Sequence, residues 1–410
     1  MTNPTLVVDQ PASDAAPASA GFQVGQVATI GVAHLVQDSY TAFLTPLLPL
    51  IQTQLGIGYA LAGSLAIFTQ LPSVLNPFIG YLADRISVRY FVILAPAVTA
   101  TVFTSVGLAP SYAALAVLLL IGGVAIAAFH APAPAMIAKV SGQRVGTGMS
   151  IFMATGELAR TVGPLAAVAG VTWFGMDGIW RMAAAGWLMS LILYLRLRRV
   201  PATPHSSSSL AMDVFWRQAA QVFPVLAWLL VGRSLLVAAL TTYLPIFMSD
   251  ERQASLWLAA AALTILQGAG VVGALAAGTL SDRWGRRRVL LVVTVTAPFL
   301  LLAFLVSPTW LTVPLLLALG VTSLSTQPVM LALVQDQFPH NRAFANGVYL
   351  ALTFLIQAAA IWAVGALADR FGLTPAYAVS ALLALLSIPA VFRLPGRRVA
   401  DGDRLSASST

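Results

Sequence analysis

Two short stretches decide how this chain is read: Gly80-Tyr-Leu-Ala-Asp84-Arg85-Ile-Ser-Val-Arg89 and Gly278-Thr-Leu-Ser-Asp282-Arg283-Trp-Gly285-Arg286-Arg287-Arg288. They are offset by 198 residues, and Arg144 and Arg342 repeat that offset. Each follows a long apolar run and ends in a basic cluster. Working outward from them, the chain divides into twelve apolar segments: 25–53, 58–83, 90–108, 112–138, 146–173, 178–197, 221–248, 254–280, 289–307, 310–335, 342–367 and 375–394. A helix needs about 20 mostly apolar residues to cross ~30 Å of hydrocarbon, so each segment is read as a membrane span. Pro and Gly inside them are compatible with helices, because neighbouring helices re-satisfy the freed backbone groups. Six spans separate the two members of each pair, which makes the halves parallel repeats about an axis along the membrane normal.

Composition supports the same solvent. Of 410 residues, 59% are hydrophobic and 9% charged, against roughly 25% charged in soluble chains. The formal charge of +8 sits in short clusters between apolar runs, which argues for membrane topology and against nucleic acid as a partner. There is no cysteine, so disulfides and thiol catalysis are excluded. Four scattered His residues without a His-x-x-x-His pair argue against a protein-built metal centre. No nucleophile–base constellation and no nucleotide-binding loop is present, so no catalytic residue and no cofactor is assigned. A membrane sensor without transport is the least favoured class.

The expected organisation is an all-α integral membrane protein of twelve helices in two six-helix bundles. Residues 1–22 form a disordered cytoplasmic tail, 23–197 the first bundle, 198–220 a Pro/Ser-rich cytoplasmic linker, 221–395 the second bundle and 396–410 a second tail. With both termini cytoplasmic, seventeen Lys and Arg residues fall inside and three outside (Arg181, Arg252, Arg370), with Arg160 and Arg233 inside spans. That asymmetry sets the orientation in a plasma membrane, the inner membrane for a bacterium.

With two copies of the loop at matching places, the chain resembles the major facilitator superfamily, whose signature is G-x-L-[AS]-D-R-x-G-R-[RK]. The second copy fits fully; the first has Ser87 for the second Gly and Val88 for the first Arg. The resemblance implies alternating access between two bundles, carried by a single chain. It also implies a cytoplasmic gate formed by Asp84, Arg85, Asp282, Arg283, Arg286 and Arg287, an ionic latch that breaks as the halves rock. Read from the residues alone, Asp84 and Asp282 sit at helix ends where the dipole disfavours a carboxylate, so Arg neighbours are the natural partners. The plainer alternative is that they are simple topology determinants.

Ala33-His34-Leu35-Val36-Gln37-Asp38 followed by Pro46-Leu47-Leu48-Pro49 resembles the first span of the fosmidomycin-resistance branch. Phe129-His130 with Pro132, and Ser150-Ile151-Phe152 with Gly163-Pro164, add to that likeness. The chain has Gln37 where that branch more usually has Asn, and Ala131 separates His130 from the following Pro. The branch implies proton-driven export of drugs and small anionic compounds. The Gly-rich run ending in Gly163-Pro164 also resembles the drug–proton antiporters, with different spacing.

Ionisable groups inside a membrane need a partner or a task, since each costs ~2.5–3.5 kcal/mol on insertion scales. Asp38, Glu157, Arg160 and Arg233 fall at mid-depth, about 15–20 Å from the span ends at ~1.5 Å rise per residue. His34 and Asp38 are four apart, on one helix face, and read as a proton site or as a structural pair. Glu157 is the second candidate proton carrier, or it simply neutralises Arg160. Arg233 has no acid in its own span, so Arg233 and Arg160 are expected to bind an anionic or zwitterionic solute between the halves. His130 is a candidate ligand or gate, and Tyr40 and Tyr243 are candidate cavity aromatics. Gln70, Asn76, Gln267 and Gln327 bind solute or bridge helices. The expected function is a secondary active transporter, a proton-coupled exporter of a small anionic or zwitterionic compound. The alternative is a proton-coupled importer of an organic anion or other nutrient.

Overall fold

The computed structural model describes residues 21–75, 89–130, 132–142, 145–198, 212–338 and 342–394. Residues 1–20 of the first expected tail, the whole of the second, most of the linker and residues 80–88 of the first signature loop lie outside these residues. Among the described residues every regular element is helical. In chain order the spans are Val24–Thr41 with Leu44–Leu55; Tyr59–Gln70 continued by the 3-10 turn Leu71–Leu75; Arg89–Thr104; Tyr112–His130, followed by Ala133–Val140; Val145–Phe174; and Ala183–Leu197. The second set is Met212–Ala238 joined to Leu244–Asp250; Leu256–Trp284; Arg286–Val306; Thr312–Ser323 with Thr326–Gln337; Arg342–Phe371; and Leu373–Leu385 with Ile388–Arg393. Among the described residues, seven helical stretches are long and apolar enough to cross a membrane on length and composition alone. Tyr59–Val74 and Arg89–Thr104 are shorter apolar helices, and the other three spans have readable causes for falling short. The first breaks at Ala42 and Phe43, the fifth carries Glu157 and Arg160, and the sixth has only 15 helical residues after a 3-10 turn.

The breaks repeat. The first span parts just before Leu44-Thr45-Pro46, and the seventh carries a π turn over Ala239–Tyr243 just before Leu244-Pro245. Each proline lacks the N–H that would bond the preceding turn, so the helix loosens there at the same depth in both halves. Packing repeats as well. Spans one, three and two pack on five, six and four, and spans seven, nine and eight pack on eleven, twelve and ten. Between the halves, the second span packs on the eleventh and the fifth on the eighth.

Three apolar cores show how the halves meet. One cluster, holding Phe43, Leu47, Tyr243, Phe247 and Tyr377, crosses both halves at the end of the spans away from the chain termini. At the terminal end each half has its own cluster. Val27, Phe129 and Leu193 belong to one; Phe215, Val334 and Leu394 belong to the other. Among the described residues, the halves are therefore joined at the far end and have separate apolar clusters at the terminal end.

Candidate functional site

A cavity of about 560 Å³ lies between the halves. The first half lines it with Asp38, Gln70, His130 and Arg160, and the second with Thr241, Thr242 and Gln267, among others. Thr241 and Thr242 sit in the π turn and both line the cavity, the Thr241 hydroxyl donating to the Val237 carbonyl at 2.8 Å. Their place on this wall was not legible in sequence, where a Thr-Thr pair in an apolar run carries no signal.

Asp38 is the centre of the charged wall. The i, i+4 pair forms as expected: His34 Nε2 is 3.3 Å from Asp38 Oδ2. From the fourth span His130 joins it, with Nε2 at 3.3 Å from Asp38 Oδ1 and 3.3 Å from His34 Nε2. His34 and Asp38 are buried, whereas the His130 side chain keeps 33% of its surface exposed. The far faces of both rings are held. His34 Nδ1 lies 2.7 Å from the Phe152 carbonyl, and His130 Nδ1 lies 3.0 Å from the Ile126 carbonyl. His34 also stacks on Phe152, with centroids 3.9 Å apart. Gly156 makes room for this ring, since a Cβ there would stand 2.4 Å from His34 Cε1. Beside the cluster, Gln37 donates to Thr99 Oγ1 at 2.8 Å and so bridges the first and third spans.

Arg160 lines the cavity and forms an ion pair with Glu157 one turn earlier. Arg233 is elsewhere. Its Nε donates to Thr326 Oγ1, and it borders a separate cavity of about 30 Å³ inside the second half with Ser323 and Ser387. Of the two arginines expected to face the solute, the structure places Arg160 on the wall of the shared cavity and Arg233 against the tenth span, because rotation about the helix axis turns it that way.

The two tyrosines are also turned away from the cavity. Tyr40 is buried and donates to the Met182 carbonyl at 2.6 Å. Tyr243 is fully buried and donates to the Ile361 carbonyl at 2.7 Å. Its hydroxyl sits in a notch between the halves, where a Cβ on Gly63 would come within 1.8 Å and one on Gly365 within 2.3 Å. Each phenol spends its donor on a backbone carbonyl of a neighbouring segment, as buried tyrosines commonly do.

Asp84 and Arg85 lie outside the described residues, as does the side chain of Asp282. Arg283 is exposed. Arg286 pairs with Asp336 at 3.3 Å, and Arg287 donates to the Phe392 carbonyl at 2.7 Å. Both partners belong to the second half, so these two arginines brace the ends of the tenth and twelfth spans. Hydrogen bonds across the halves are found at the other end. Asp369 accepts from the backbone N–H of Tyr59 and of Ala60, the latter at 3.0 Å, at the start of the second span. Tyr59 donates to Asp250 at 2.9 Å, and Trp257 donates to Thr172 at 3.1 Å. A carboxylate at a helix start satisfies orphan N–H groups and suits the dipole.

Comparison with known proteins agrees with this architecture. The Major Facilitator Superfamily pattern matches residues 30–349 and 258–408. The Fosmidomycin resistance protein of Escherichia coli (strain K12) is 23% identical over 403 residues, covering 96% of this chain and 98% of that protein. An uncharacterized MFS-type transporter of Bacillus subtilis (strain 168), YfnC, is 24% identical over 378 residues, covering 89% and 91%. Among solved structures, a bacterial homologue of the human lysosomal transporter Spinster in an inward-facing, unoccupied conformation superposes with TM-score 0.72 at 16% identity, covering 91% of this chain and 95% of that one. A D-xylose–proton symporter gives 0.69 at 18% identity, covering 92% and 98%. Twelve spans in two parallel sets, a polar cavity between them and a family match that runs through both sets give one conclusion: this chain is a membrane transporter of the major facilitator superfamily.

Proposed function

We propose that the chain is a proton-coupled exporter of a small anionic or zwitterionic compound, working by alternating access. The observation that carries this reading is the Asp38–His34–His130 cluster on the wall of a cavity shared by both halves. Each Nδ1 faces a backbone carbonyl, which only accepts, so each Nδ1 carries its hydrogen. The Nε2 atoms and the carboxylate then turn their lone pairs toward one another, and protons relieve that convergence. A group that gains or loses protons while open to the cavity is what coupling requires. Arg160 supplies the fixed positive charge for an anionic solute, which competes with Glu157 for its guanidinium. Likeness to a fosmidomycin resistance protein favours export.

With the termini on the cytoplasmic side, the joined far end faces outside and the cavity is entered from the cytoplasm. The test of topology uses the cysteine-free chain: His205→Cys should be labelled only after the membrane is opened, and labelling in intact cells overturns the orientation. The test of function is transport in proteoliposomes with an imposed pH gradient, screened over charged and neutral solutes. Gradient-independent flux of the accepted solute would overturn proton coupling, and a preference for neutral solutes would overturn the charge assignment.

A further inference from the structure

We propose that His34, Asp38 and His130 form a binding site for a divalent transition-metal ion of the zinc class, with its fourth position open to the central cavity. The three candidate ligand atoms lie within 4.8 Å of one another. The closer spacings are more telling. The two Nε2 atoms are 3.3 Å apart, and each is 3.3 Å from a different oxygen of the Asp38 carboxylate, His34 from Oδ2 and His130 from Oδ1. Tetrahedral bonds of about 2.0–2.1 Å to zinc put neighbouring ligand atoms about 3.3–3.4 Å apart, so the two nitrogens already stand at one edge of such a tetrahedron, with the carboxylate facing both.

The rings are also prepared as ligands. Each Nδ1–H is spent on a backbone carbonyl, which fixes the tautomer and leaves Nε2 as the lone-pair atom. This is the outer arrangement that metal-binding imidazoles characteristically have. Phe152 stacks on His34 and Gly156 admits its ring, so the ligand is held before any ion arrives. Two imidazoles and one carboxylate suit zinc, cobalt or nickel better than magnesium or calcium. The charges facing the site favour a cation as well. Asp38 is negative, and Arg160, the other charged group on this wall among the described residues, is offset by Glu157. His130 is partly exposed to the cavity, so the side left open faces water or a group of the solute. The ligands come from two spans, His34 and Asp38 from the first and His130 from the fourth, which is why spacing in sequence argued against a metal.

Metal and protons compete for the same lone pairs, and this site does not depend on which ion drives transport. The experiment is a Co²⁺ titration of the purified, metal-stripped full chain in detergent, read by visible absorption, with Zn²⁺ as competitor. One Co²⁺ per chain with the intense bands of a four-coordinate ion is expected, displaced by Zn²⁺ and weakened on going from about pH 7.5 to about pH 5.5. Asp38→Asn and His130→Gln should each weaken binding by at least about a hundredfold. Gly156→Ala, which displaces the His34 ring without removing a ligand, should cost about 10–100-fold. Elution as a single species in size exclusion keeps each variant interpretable. A folded wild-type chain that binds no Co²⁺, or binds it equally in all three variants, overturns the site. Proton-driven transport measured in chelator separates the two ideas: coupling that survives without metal binding leaves the transport reading standing, and metal binding without coupling leaves this site standing.

Discussion

The two halves of the transporter share one architecture and differ in what they bring to the cavity. The first half contributes Asp38, His130 and Arg160, whereas the second contributes Thr241, Thr242 and Gln267. Both break a cavity-lining helix at the same depth, and both pack their spans in the same pairs. The repeat therefore preserved the scaffold while the charge became one-sided. A rocking mechanism gains from this division. A neutral polar wall moves past a charged one without each step having to make and break ion pairs across the interface, which in low dielectric would be costly.

The largest effect that would test this asymmetry comes from Asp38. Asp38→Asn should abolish uphill transport, with accumulation in proteoliposomes falling to the equilibrium level, while Thr241→Val and Thr242→Val in the facing wall change affinity by less than about tenfold. Counterflow, which needs no proton movement, should survive in Asp38→Asn. Full pH-driven accumulation in that variant would remove Asp38 from coupling and move the task to Glu157.

Arg160 comes next. Arg160→Gln should weaken an anionic solute by about 1.5–3 kcal/mol, roughly tenfold or more, and leave a neutral analogue of the same shape nearly unaffected. Arg160→Lys should recover part of the loss, because a point charge cannot reproduce two-pronged contact. Glu157→Gln sharpens the test: freeing the guanidinium should tighten the anion. Equal losses for charged and neutral solutes would make the Arg160–Glu157 pair purely structural.

A smaller effect distinguishes the joined end from the parted one. Asp369 satisfies two backbone N–H groups of the opposite half, so Asp369→Ala should cost the closed far end about 1–2 kcal/mol. Gly63→Ala should push in the same direction, because its Cβ displaces the Tyr243 hydroxyl. Distances between spin labels on the second and eleventh spans should show a population opened by about 5–30-fold. An unchanged distribution in both variants would mean that the apolar cluster alone holds that end shut.

What sequence could and could not reveal follows from dimension. The twelve spans and the duplicated loop are one-dimensional signals, and they were legible because hydropathy along a chain needs no partner. The His34–Asp38 pair was legible for the same reason, being one turn apart on one helix. His130 was found as an unusual intramembrane residue, but its contact with Asp38 spans two helices. The contact of Asp369 with the opposite half was invisible because a carboxylate at a span end reads as surface. Depth can be counted from a span end. Rotation about the helix axis cannot be read where the helix is apolar all round.

Arg233 is where that limit shows most clearly, and it gives the smallest expected effect. Its guanidinium cannot shed its proton at any relevant pH, so a partner must be found within the second half. The structure supplies the Thr326 hydroxyl and a small cavity with Ser323 and Ser387, separate from the cavity shared by the halves. Replacing a buried charge that has no carboxylate partner among the described residues with an apolar side chain of similar length removes a desolvation cost. Arg233→Met should therefore leave thermal stability unchanged or raise it by about 1 kcal/mol, and it should change affinity for the anionic solute by less than about twofold. The comparison with Arg160→Gln is the decisive one, since both remove one mid-membrane arginine. If Arg233→Met instead costs an anionic solute as much as Arg160→Gln does, the second half does bring charge to the solute, and the one-sided picture of the cavity fails.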